Sequence, residues 1–309
     1  MKNEYEIISH NNSNFHIYMV NVLYRSPHIH KDREIALVID GAPVLITPDG
    51  KNPLKAGDIF ITNPFFLHEI RAQAPALFLS LQISPAFFTS CYPQIEQREF
   101  VDTLLSFSEK PDICRQIRSL LFELARAFYK KQEYAPLKCN ALISQLFFLL
   151  LTTQNSRLVP EKERQNDLTR GKRMREILHY IENHYTEKLL LSDIAKQENL
   201  DLYYLSHFFK ECFGTTFQDY VMKLRCEKAR QLLLSTDYSL LDISISSGFS
   251  DPKYFNKGFQ AQYGCTPKNY RKEHKNISPD DRQYPLLTTQ EFLSESESLC
   301  ALDQFASAI

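Results

Sequence analysis

The sequence of 309 residues has no tryptophan, only eight glycines and no long apolar run. So few glycines argue against a glycine-rich phosphate-binding loop, and the G-x-S-x-G elbow of serine hydrolases does not occur. The longest apolar stretch, LFFLLL at 146–151, is far shorter than the roughly 20 residues that a membrane-spanning helix needs. The first residues, MKNEYEIISH, have no apolar run behind their lysine and do not resemble a secretory signal. We therefore expect no membrane anchor.

The seven cysteines are scattered along the chain, and no two of them form a C-x-x-C pair. This arrangement argues against a zinc ribbon and against a framework of disulfides. Because unpaired thiols are typical of the reducing cytosol, we expect a cytoplasmic protein.

The formal net charge of −1 conceals an uneven distribution of charge along the chain. Residues 1–169 have as many basic as acidic residues, whereas residues 170–276 have 17 lysines and arginines against 13 acidic residues. Residues 277–309 have one basic residue and six acidic ones. The basic part indicates a segment that attracts polyanions, and an acidic tail follows it.

The first part of the chain has the pattern of a small all-β domain. Segments such as IALVI, APVLIT, DIFIT and ALFLSLQI are separated by turn-forming residues, which is typical of a β-sandwich or barrel. From about residue 111 the apolar residues recur every three or four positions and predict two helices joined near 132–136. We assign residues 1–110 to the barrel and 111–153 to a helical pair, whose apolar stripes cover either the barrel or a second copy of the protein.

The second half of the chain predicts a linker, an all-α domain and a tail. Residues 154–169 are polar with little periodicity and are assigned to a linker, with the frayed end of a helix as the alternative. Residues 170–276 begin with an amphipathic helix and form the all-α domain. Residues 277–309 are rich in serine and acidic residues and predict an acidic, flexible tail. Four apolar residues would share one face if a helix formed there: Phe292, Leu299, Leu302 and Phe305.

Two stretches of the all-α domain resemble each other fifty positions apart. YYLSHFFKECFG at 203–214 and KYFNKGFQAQYG at 253–264 follow good N-cap residues, Asp201 and Asp251. On a helix, each stretch has one apolar face for packing and one polar, aromatic and basic face. A short helix and a tight turn precede each copy, and a long helix from about 216 to 234 joins the two units. This is the helix-turn-helix arrangement, so we expect one monomer to enter two successive major grooves.

Residues 172–275 resemble the DNA-binding domain of the AraC/XylS family of bacterial transcription regulators. The second unit of that family typically has the motif GF-x-D-x-x-YF-x-x-x-F-x-x-x-x-G-x-TP-x-x-YR, and this chain matches it from Gly248 to Arg271. The first unit matches less closely, since Asn199 stands where the family usually has glycine.

The resemblance implies which residues face the bases of DNA. They are Tyr203, Ser206, His207 and Lys210 in the first recognition helix and Lys253, Asn256 and Lys257 in the second. His207 stands where arginine is frequent, which disfavours a bidentate contact to guanine there. Gly258 lies inside the second helix, where a glycine costs roughly 1 kcal/mol relative to alanine, so it either weakens this helix or allows a close approach of the backbone. We therefore predict that the first recognition helix contributes more base selectivity than the second.

The barrel domain contains a second resemblance. HIHKDREIALVIDG at 28–41 fits H-x-H-x3-E-x6-G, and a further histidine follows GDIFITNPFFL. Over about residues 15–84 these segments resemble the two motifs of the cupins, which are small double-stranded β-barrels. The resemblance implies that four residues line the barrel interior and hold a divalent metal in cupin enzymes: His28, His30, Glu34 and His68. The second motif lacks the usual glycine, so two alternatives stay open, a metal site and the effector pocket without metal that we favour.

The favoured interpretation is a sequence-specific transcription regulator of the α+β multidomain class. A cupin-like double-stranded β-barrel with two following helices would bind a small-molecule effector, a sugar or another metabolite. A C-terminal all-α domain with two helix-turn-helix units would bind promoter DNA. From the resemblance we expect a homodimer that has no catalytic residues and contacts RNA polymerase if it activates transcription.

Two other function classes stay open. A metal-dependent cupin enzyme fused to a DNA-binding domain would account for the H-x-H-x3-E motif. A protein-interaction module would account for the helical repeat. The metal content of the purified protein separates the first from the favoured interpretation, and DNA binding at low salt separates the second.

Overall fold

The computed structural model describes residues 14–274 and 289–306 of the chain. Its strands are β1 (Phe15–His28), β2 (Arg33–Asp40), β3 (Val44–Thr47), β4 (Gly50–Pro53), β5 (Ile59–Thr62), β6 (His68–Ile83), β7 (Arg98–Phe100), β8 (Leu104–Leu105), β9 (Ser156–Leu158) and β10 (Thr289–Phe292). Its helices are α1 (Pro111–Lys130), α2 (Ala135–Thr153), α3 (Glu161–His184), α4 (Leu191–Gln197), α5 (Leu202–Phe213), α6 (Phe217–Ser235), α7 (Leu240–Ser246), α8 (Pro252–Tyr263), α9 (Pro267–His274) and α10 (Glu295–Ala306). Within the described residues, the first compact unit is built from 14–46, 51–171 and 290–306, and the second mainly from 172–274.

The first unit is organised around a curled sheet of eight described strands. Neighbouring strands follow the order β10-β1-β6-β2-β5-β8, and the hairpin of β3 and β4 joins β6. The sheet is buried on both faces, since Ile35 and Leu37 of β2 pack in one apolar cluster whereas Ala36 and Val38 pack in another. Alternate side chains of a strand point to opposite faces, so the second cluster fills the inside of the curl. The predicted cupin-like barrel is confirmed in this form.

Helices α1 and α2 cover the outer face of the curled sheet, and both were predicted. Ile117 and Leu121 of α1 and Ile143 and Leu146 of α2 are fully buried in the outer cluster. Within the described residues, α2 alone is long and apolar enough to cross a membrane by length and composition, with a mean hydropathy of 1.4. Since the core helices of globular proteins meet the same criterion, this is weak evidence for a membrane span.

The predictions of a linker and of a flexible tail outside the barrel are wrong, whereas the helical alternatives left open for both segments are confirmed in part by α3 and α10. The predicted linker at 154–169 contains β9, which pairs with β7, and the beginning of α3. The predicted flexible tail contains β10 and α10, and Leu302 of α10 is fully buried in the outer cluster. Composition misled in both places, because polar segments become ordered when a distant part of the chain supplies their partner. Residues 277–288 lie outside the described part.

The second compact unit contains the two predicted helix-turn-helix motifs. Helices α4 and α5 form the first, α7 and α8 form the second, and α6 contacts both. The turn after α4 places Asn199 at φ 52°, a left-handed conformation that asparagine tolerates. The corresponding turn after α7 has Gly248 at φ 85°, and a Cβ there would lie 2.6 Å from the Thr186 Cα. Glycine is therefore required at 248 by backbone conformation and by space.

Gly258 is explained by packing within the second unit. Helix α8 runs through it without a break. A Cβ at this position would lie 2.5 Å from Met222 Sδ and 3.4 Å from Cys226 Sγ, both on α6. The glycine thus allows α8 and α6 to approach closely. Of the two alternatives that the sequence left open for Gly258, the close approach is the one seen here, and it lies on the interior side of α8.

A buried ionic network also ties α6 to α8. Arg230 donates from Nε and Nη2 to Glu227 Oε1 at 2.8 and 2.6 Å, and Tyr263 donates its hydroxyl to Glu227 Oε2 at 2.6 Å. Glu227 and Arg230 are 2% and 8% exposed. Burial lowers the pKa of Arg230, but the charge and hydrogen bonds of Glu227 outweigh it and raise that pKa above its ordinary value. Arg230 is therefore held in its charged form at the helix junction.

Candidate nucleic-acid interface and effector site

The two recognition helices begin and end with the same local devices. Asp201 accepts a hydrogen bond from the Tyr204 amide at 3.0 Å, and Asp251 accepts one from the Lys253 amide at 2.6 Å. Each helix ends at a glycine in the left-handed conformation, Gly214 and Gly264. The caps satisfy backbone groups that a helix terminus leaves free, so the sequence alone determines where these helices start and stop.

Each recognition helix buries one face and exposes the other. Leu205 and Phe209 of α5 and Phe255 and Phe259 of α8 are at most 1% exposed. The seven residues predicted to face DNA are all exposed: Tyr203, Ser206, His207, Lys210, Lys253, Asn256 and Lys257. On α5 the ring of Tyr203 lies 4.6 Å from that of His207. The structure thus leaves both predicted faces accessible, while the role of each residue stays a prediction.

The four predicted barrel residues lie together inside the curl. His28 at the end of β1 pairs in register with His68 at the start of β6, and their ring centroids are 4.1 Å apart. Glu34 of β2 and His30, in the loop before it, complete the group. The Glu34 Oε2 atom lies 3.0 Å from His30 Nε2 and 3.7 Å from His68 Nε2. We call these four residues the histidine cluster.

Each histidine of the cluster is held through its Nδ1 atom. Nδ1 lies 2.8 Å from the Ser26 carbonyl oxygen in His28, 2.6 Å from that of Asp32 in His30, and 3.0 Å from that of Phe66 in His68. A carbonyl can only accept, so each Nδ1 carries the proton and donates it. In the neutral imidazole Nε2 is then the free acceptor. Among the described atoms, the buried His68 Nε2 has no hydrogen-bond partner.

The charges within the cluster differ from one residue to the next. Burial, followed by repulsion from the charges that His68, Arg25 and His30 can carry, lowers the pKa of His28 well below its ordinary value, and burial lowers that of His68. Burial also lowers the pKa of His30, but the hydrogen bond and charge of Glu34 outweigh it and raise that pKa. For Glu34, burial opposes ionisation, but the hydrogen bond to His30 and the nearby His68 imidazole, 3.7 Å away, lower its pKa well below the ordinary range. Glu34 thus favours the charged form of His30, whereas burial favours the neutral forms of His28 and His68.

A narrow cavity of about 30 Å³ opens beside the cluster. Its wall includes His28, Glu34 and His68, the apolar side chains of the inner cluster, and four polar residues that the motifs did not indicate: Tyr18, Arg25, Ser80 and Gln290. Tyr18 donates to Glu34 at 3.3 Å and accepts from Gln82 at 3.1 Å. The signal in the sequence for these wall residues is the alternation of polar and apolar residues in β1 and β6. Such alternation normally indicates that the polar side chains of a strand face solvent. Only the curl turns that face inward.

The histidine cluster fits a divalent cation. The three histidines place ligand atoms within 4.8 Å of one another, and the buried carboxylate of Glu34 adjoins them. Nitrogen and carboxylate oxygen suit zinc, iron, manganese or nickel. Histidine ligands in metal sites commonly donate their other ring nitrogen to a backbone carbonyl, as all three do here.

Comparison with known protein families identifies both units. Residues 15–147 match the family described as AraC-like ligand binding domain, and residues 194–273 match a family described as helix-turn-helix domain. Together the two matches cover more than half of the chain. The chain is an AraC-type transcription regulator. The resemblance noted from the sequence is thereby confirmed, with a ligand-binding domain before the DNA-binding domain.

Individual relatives of this AraC-type regulator are similar over different lengths. The regulatory protein PocR of Salmonella typhimurium is 34% identical over 146 residues, which are 45% of this chain and 46% of PocR. The HTH-type transcriptional regulator YfiF of Bacillus subtilis is 26% identical over 257 residues, 81% of this chain and 79% of YfiF. The C-terminal domain of the response regulator yesN of Fusobacterium nucleatum is 40% identical, covering 32% of this chain and 98% of that domain with a TM-score of 0.32. The chain thus matches just under half the length of PocR.

Proposed function

We propose that this AraC-type regulator acts in the cytoplasm as a homodimer that binds promoter DNA and is controlled by a small-molecule effector in the barrel. The observation that carries the proposal is the pair of capped recognition helices, each with a buried apolar face and an exposed polar one. Because α6 contacts both helix-turn-helix motifs, a single chain presents two recognition faces to one DNA site.

The exposed residues of the two recognition helices have two roles in DNA binding. Lys210, Lys253 and Lys257 supply the attraction to phosphates, which depends on salt. Tyr203, Ser206, His207 and Asn256 supply contacts to base edges. At promoters that it activates, the protein contacts RNA polymerase.

Dimerisation is assigned to the exposed side of α2. Leu137 and Phe148 are 72% and 69% exposed, and Ala141 lies between them on the same side of the helix. Large apolar side chains on one helical face favour burial against a partner helix. A second copy of α2 is the occupant we propose, because a homodimer presents the same face twice.

The barrel is proposed to sense its ligand rather than to transform it, since PocR and YfiF are described as regulators. The effector is a sugar or another small polar metabolite held by the histidine cluster and its polar neighbours. Binding changes the relative stability of two DNA-bound arrangements of the dimer.

Genome-wide mapping of bound DNA followed by footprinting on the selected sites tests this function. We expect protection of two adjacent major-groove segments per monomer and a strong fall of affinity with salt. Absence of binding at low salt would refute DNA recognition. An identical footprint and affinity across a broad panel of metabolites would refute effector control.

A divalent cation in the histidine cluster is the second candidate, favoured by the three imidazoles anchored through Nδ1. When bound, the metal would supply a Lewis-acidic centre to which an oxygen of the effector coordinates. Elemental analysis of the purified protein tests it, with His68→Ala as the variant and His179→Ala, on an exposed part of α3, as the matched control. We expect one metal per chain in the control and much less in His68→Ala. No stoichiometric metal in the wild type after incubation with zinc would exclude this candidate.

A further inference from the structure

The chain returns to the barrel after the DNA-binding domain. We call residues 289–306, which comprise β10 and α10, the C-terminal strap. Strand β10 lies beside β1 at the edge of the curled sheet, and the Leu293 amide donates to the Met19 carbonyl at 3.0 Å. On α10, Ser298 and Leu302 are fully buried against the outer cluster. The strap is therefore an ordered part of the first compact unit.

Charge complementarity explains why this acidic segment docks on α1. Arg126 donates to the Leu302 carbonyl at 3.1 Å and to Asp303 Oδ1 at 2.9 Å, and Arg118 donates to the Phe305 carbonyl. Lys131 lies 2.5 Å from Glu295. Basic side chains at the carbonyl end of a helix satisfy its last carbonyls and its dipole. The acidic tail thus has a specific partner on α1.

The strap also reaches the cavity beside the histidine cluster. Gln290 of β10 lines that cavity together with His28 and Glu34. The ring of Phe292 packs edge-on against Tyr18 at 5.3 Å, and the Tyr18 hydroxyl is bonded to Glu34. Two side chains of one short strand therefore contact the wall of the effector site.

The size of the cavity decides what can enter while β10 is in place. About 30 Å³ holds roughly two waters or one ion, since one water needs on the order of 10–15 Å³. Sites for organic ligands measure roughly 300–1,000 Å³. An organic effector therefore needs one wall to move. Among the strands whose residues line the cavity, β10 is the shortest and lies at the sheet edge, whereas β1, β2 and β6 are interior.

We propose that β10 is a lid on the effector pocket and that a small polar organic effector enters only when this strand leaves the sheet. The inference rests on the proposed effector pocket. The strap follows the DNA-binding domain in the chain, so one polypeptide joins the lid to that domain. Effector binding and strap docking therefore compete, which supplies a direct route from the pocket to the DNA-binding unit.

Carbethoxylation by diethyl pyrocarbonate, mapped by mass spectrometry on the full-length protein, measures access to the histidine cluster. Gln290→Pro removes a backbone N–H donor from β10 and leaves the sequence of α10 unchanged. Because β10 is then held less firmly in the sheet, we expect about tenfold faster labelling of His28 and His68. Glu291→Ala, on the same strand with an exposed side chain, is the control with the wild-type rate. The surface histidine His207 serves as internal standard and keeps its rate in all variants.

A second variant avoids any change in the sheet itself. Arg126→Ala removes the contacts of this side chain with the end of α10. We expect about two- to fivefold faster labelling of His28 and His68, because a half-exposed ion pair contributes a stabilisation of that size. Arg115→Ala is the matched control, since Arg115 pairs with Asp112 on α1 itself. Wild-type labelling rates in both Gln290→Pro and Arg126→Ala would overturn the lid.

The outcome is independent of the proposed function as a whole. Binding of the wild-type protein to its mapped DNA sites tests DNA recognition without reference to the strap. If the wild type binds DNA and both strap variants label at the wild-type rate, only the lid fails. If labelling rises and the wild type binds no DNA, the lid stands and the proposed function fails.

Discussion

The buried Glu227–Arg230 pair makes a strong prediction about the DNA-binding unit. Replacing Glu227 by alanine leaves the 8%-exposed Arg230 without its carboxylate partner and removes the acceptor of the Tyr263 hydroxyl. Breaking a buried pair on one side typically costs about 3–5 kcal/mol, because an uncompensated charge stays buried. With about 1.36 kcal/mol for each factor of ten, amide exchange in α6 and α8 should accelerate by about 160-fold to 4,700-fold.

Hydrogen-exchange mass spectrometry on the full-length protein measures this effect locally. Peptides from the curled sheet serve as the internal control, and their exchange should stay at the wild-type rate. Tyr263→Phe removes one hydrogen bond to the carboxylate and should cost about 1.5–3 kcal/mol, the range for bonds to a charged group. The double variant with methionine at 227 and 230 should be less destabilised than Glu227→Ala, because no charge is left unpaired. Acceleration below tenfold in Glu227→Ala would refute the assignment of the pair as a stabilising junction.

Three further predictions concern the exposed faces and the helix junction. Lys210→Ala and Lys257→Ala should each weaken DNA binding for all sequences and reduce the slope of log affinity against log salt by about 1, measured by fluorescence anisotropy. Phe148→Asp should convert the dimer to monomer in sedimentation equilibrium, since it places a charge on the apolar face of α2. Gly258→Ala gains roughly 1 kcal/mol of helix propensity but overpacks Met222 at a typical cost of about 1–3 kcal/mol, so unfolding should show a net loss of up to about 2 kcal/mol.

Controls for these three predictions come from the same chain. Lys138→Ala, on α2, should leave the salt dependence of DNA binding unchanged, and Ser119→Asp, on the exposed polar side of α1, should leave the dimer intact. Met222→Ala should make Gly258→Ala neutral or stabilising by freeing the space that the new methyl group needs. A loss of DNA affinity in Gly258→Ala without a loss of stability would instead show that this glycine serves DNA contact.

Much of the DNA-binding unit was predictable because its information is local. The aspartate N-caps and the glycines that end α5 and α8 lie within one turn of the helix they define. The spacing of apolar residues then fixes which face packs, so the exposed positions follow without knowledge of the rest of the chain. In the same way, the H-x-H-x3-E motif indicates His28, His30 and Glu34, and the second cupin-like motif indicates His68.

The features that the sequence did not indicate all depend on partners far away in the chain. Gly258 looks like a weak point in an isolated helix, and only Met222 on α6 gives it a purpose. Tyr18 and Ser80 stand at positions where the alternation of the strand predicts solvent exposure, but the curl of the sheet turns them towards the cavity.

The sequence by itself thus determined the family, the order of the domains, the ends of the recognition helices and the histidine cluster. The tertiary structure alone decided how wide the cavity beside the histidine cluster is and that the acidic end of the chain docks on α1. The physical reason is the range of the forces involved: caps and periodicity act within one or two helical turns, whereas α10 pairs with residues more than 170 positions earlier. Only the folded chain brings such distant residues within contact distance.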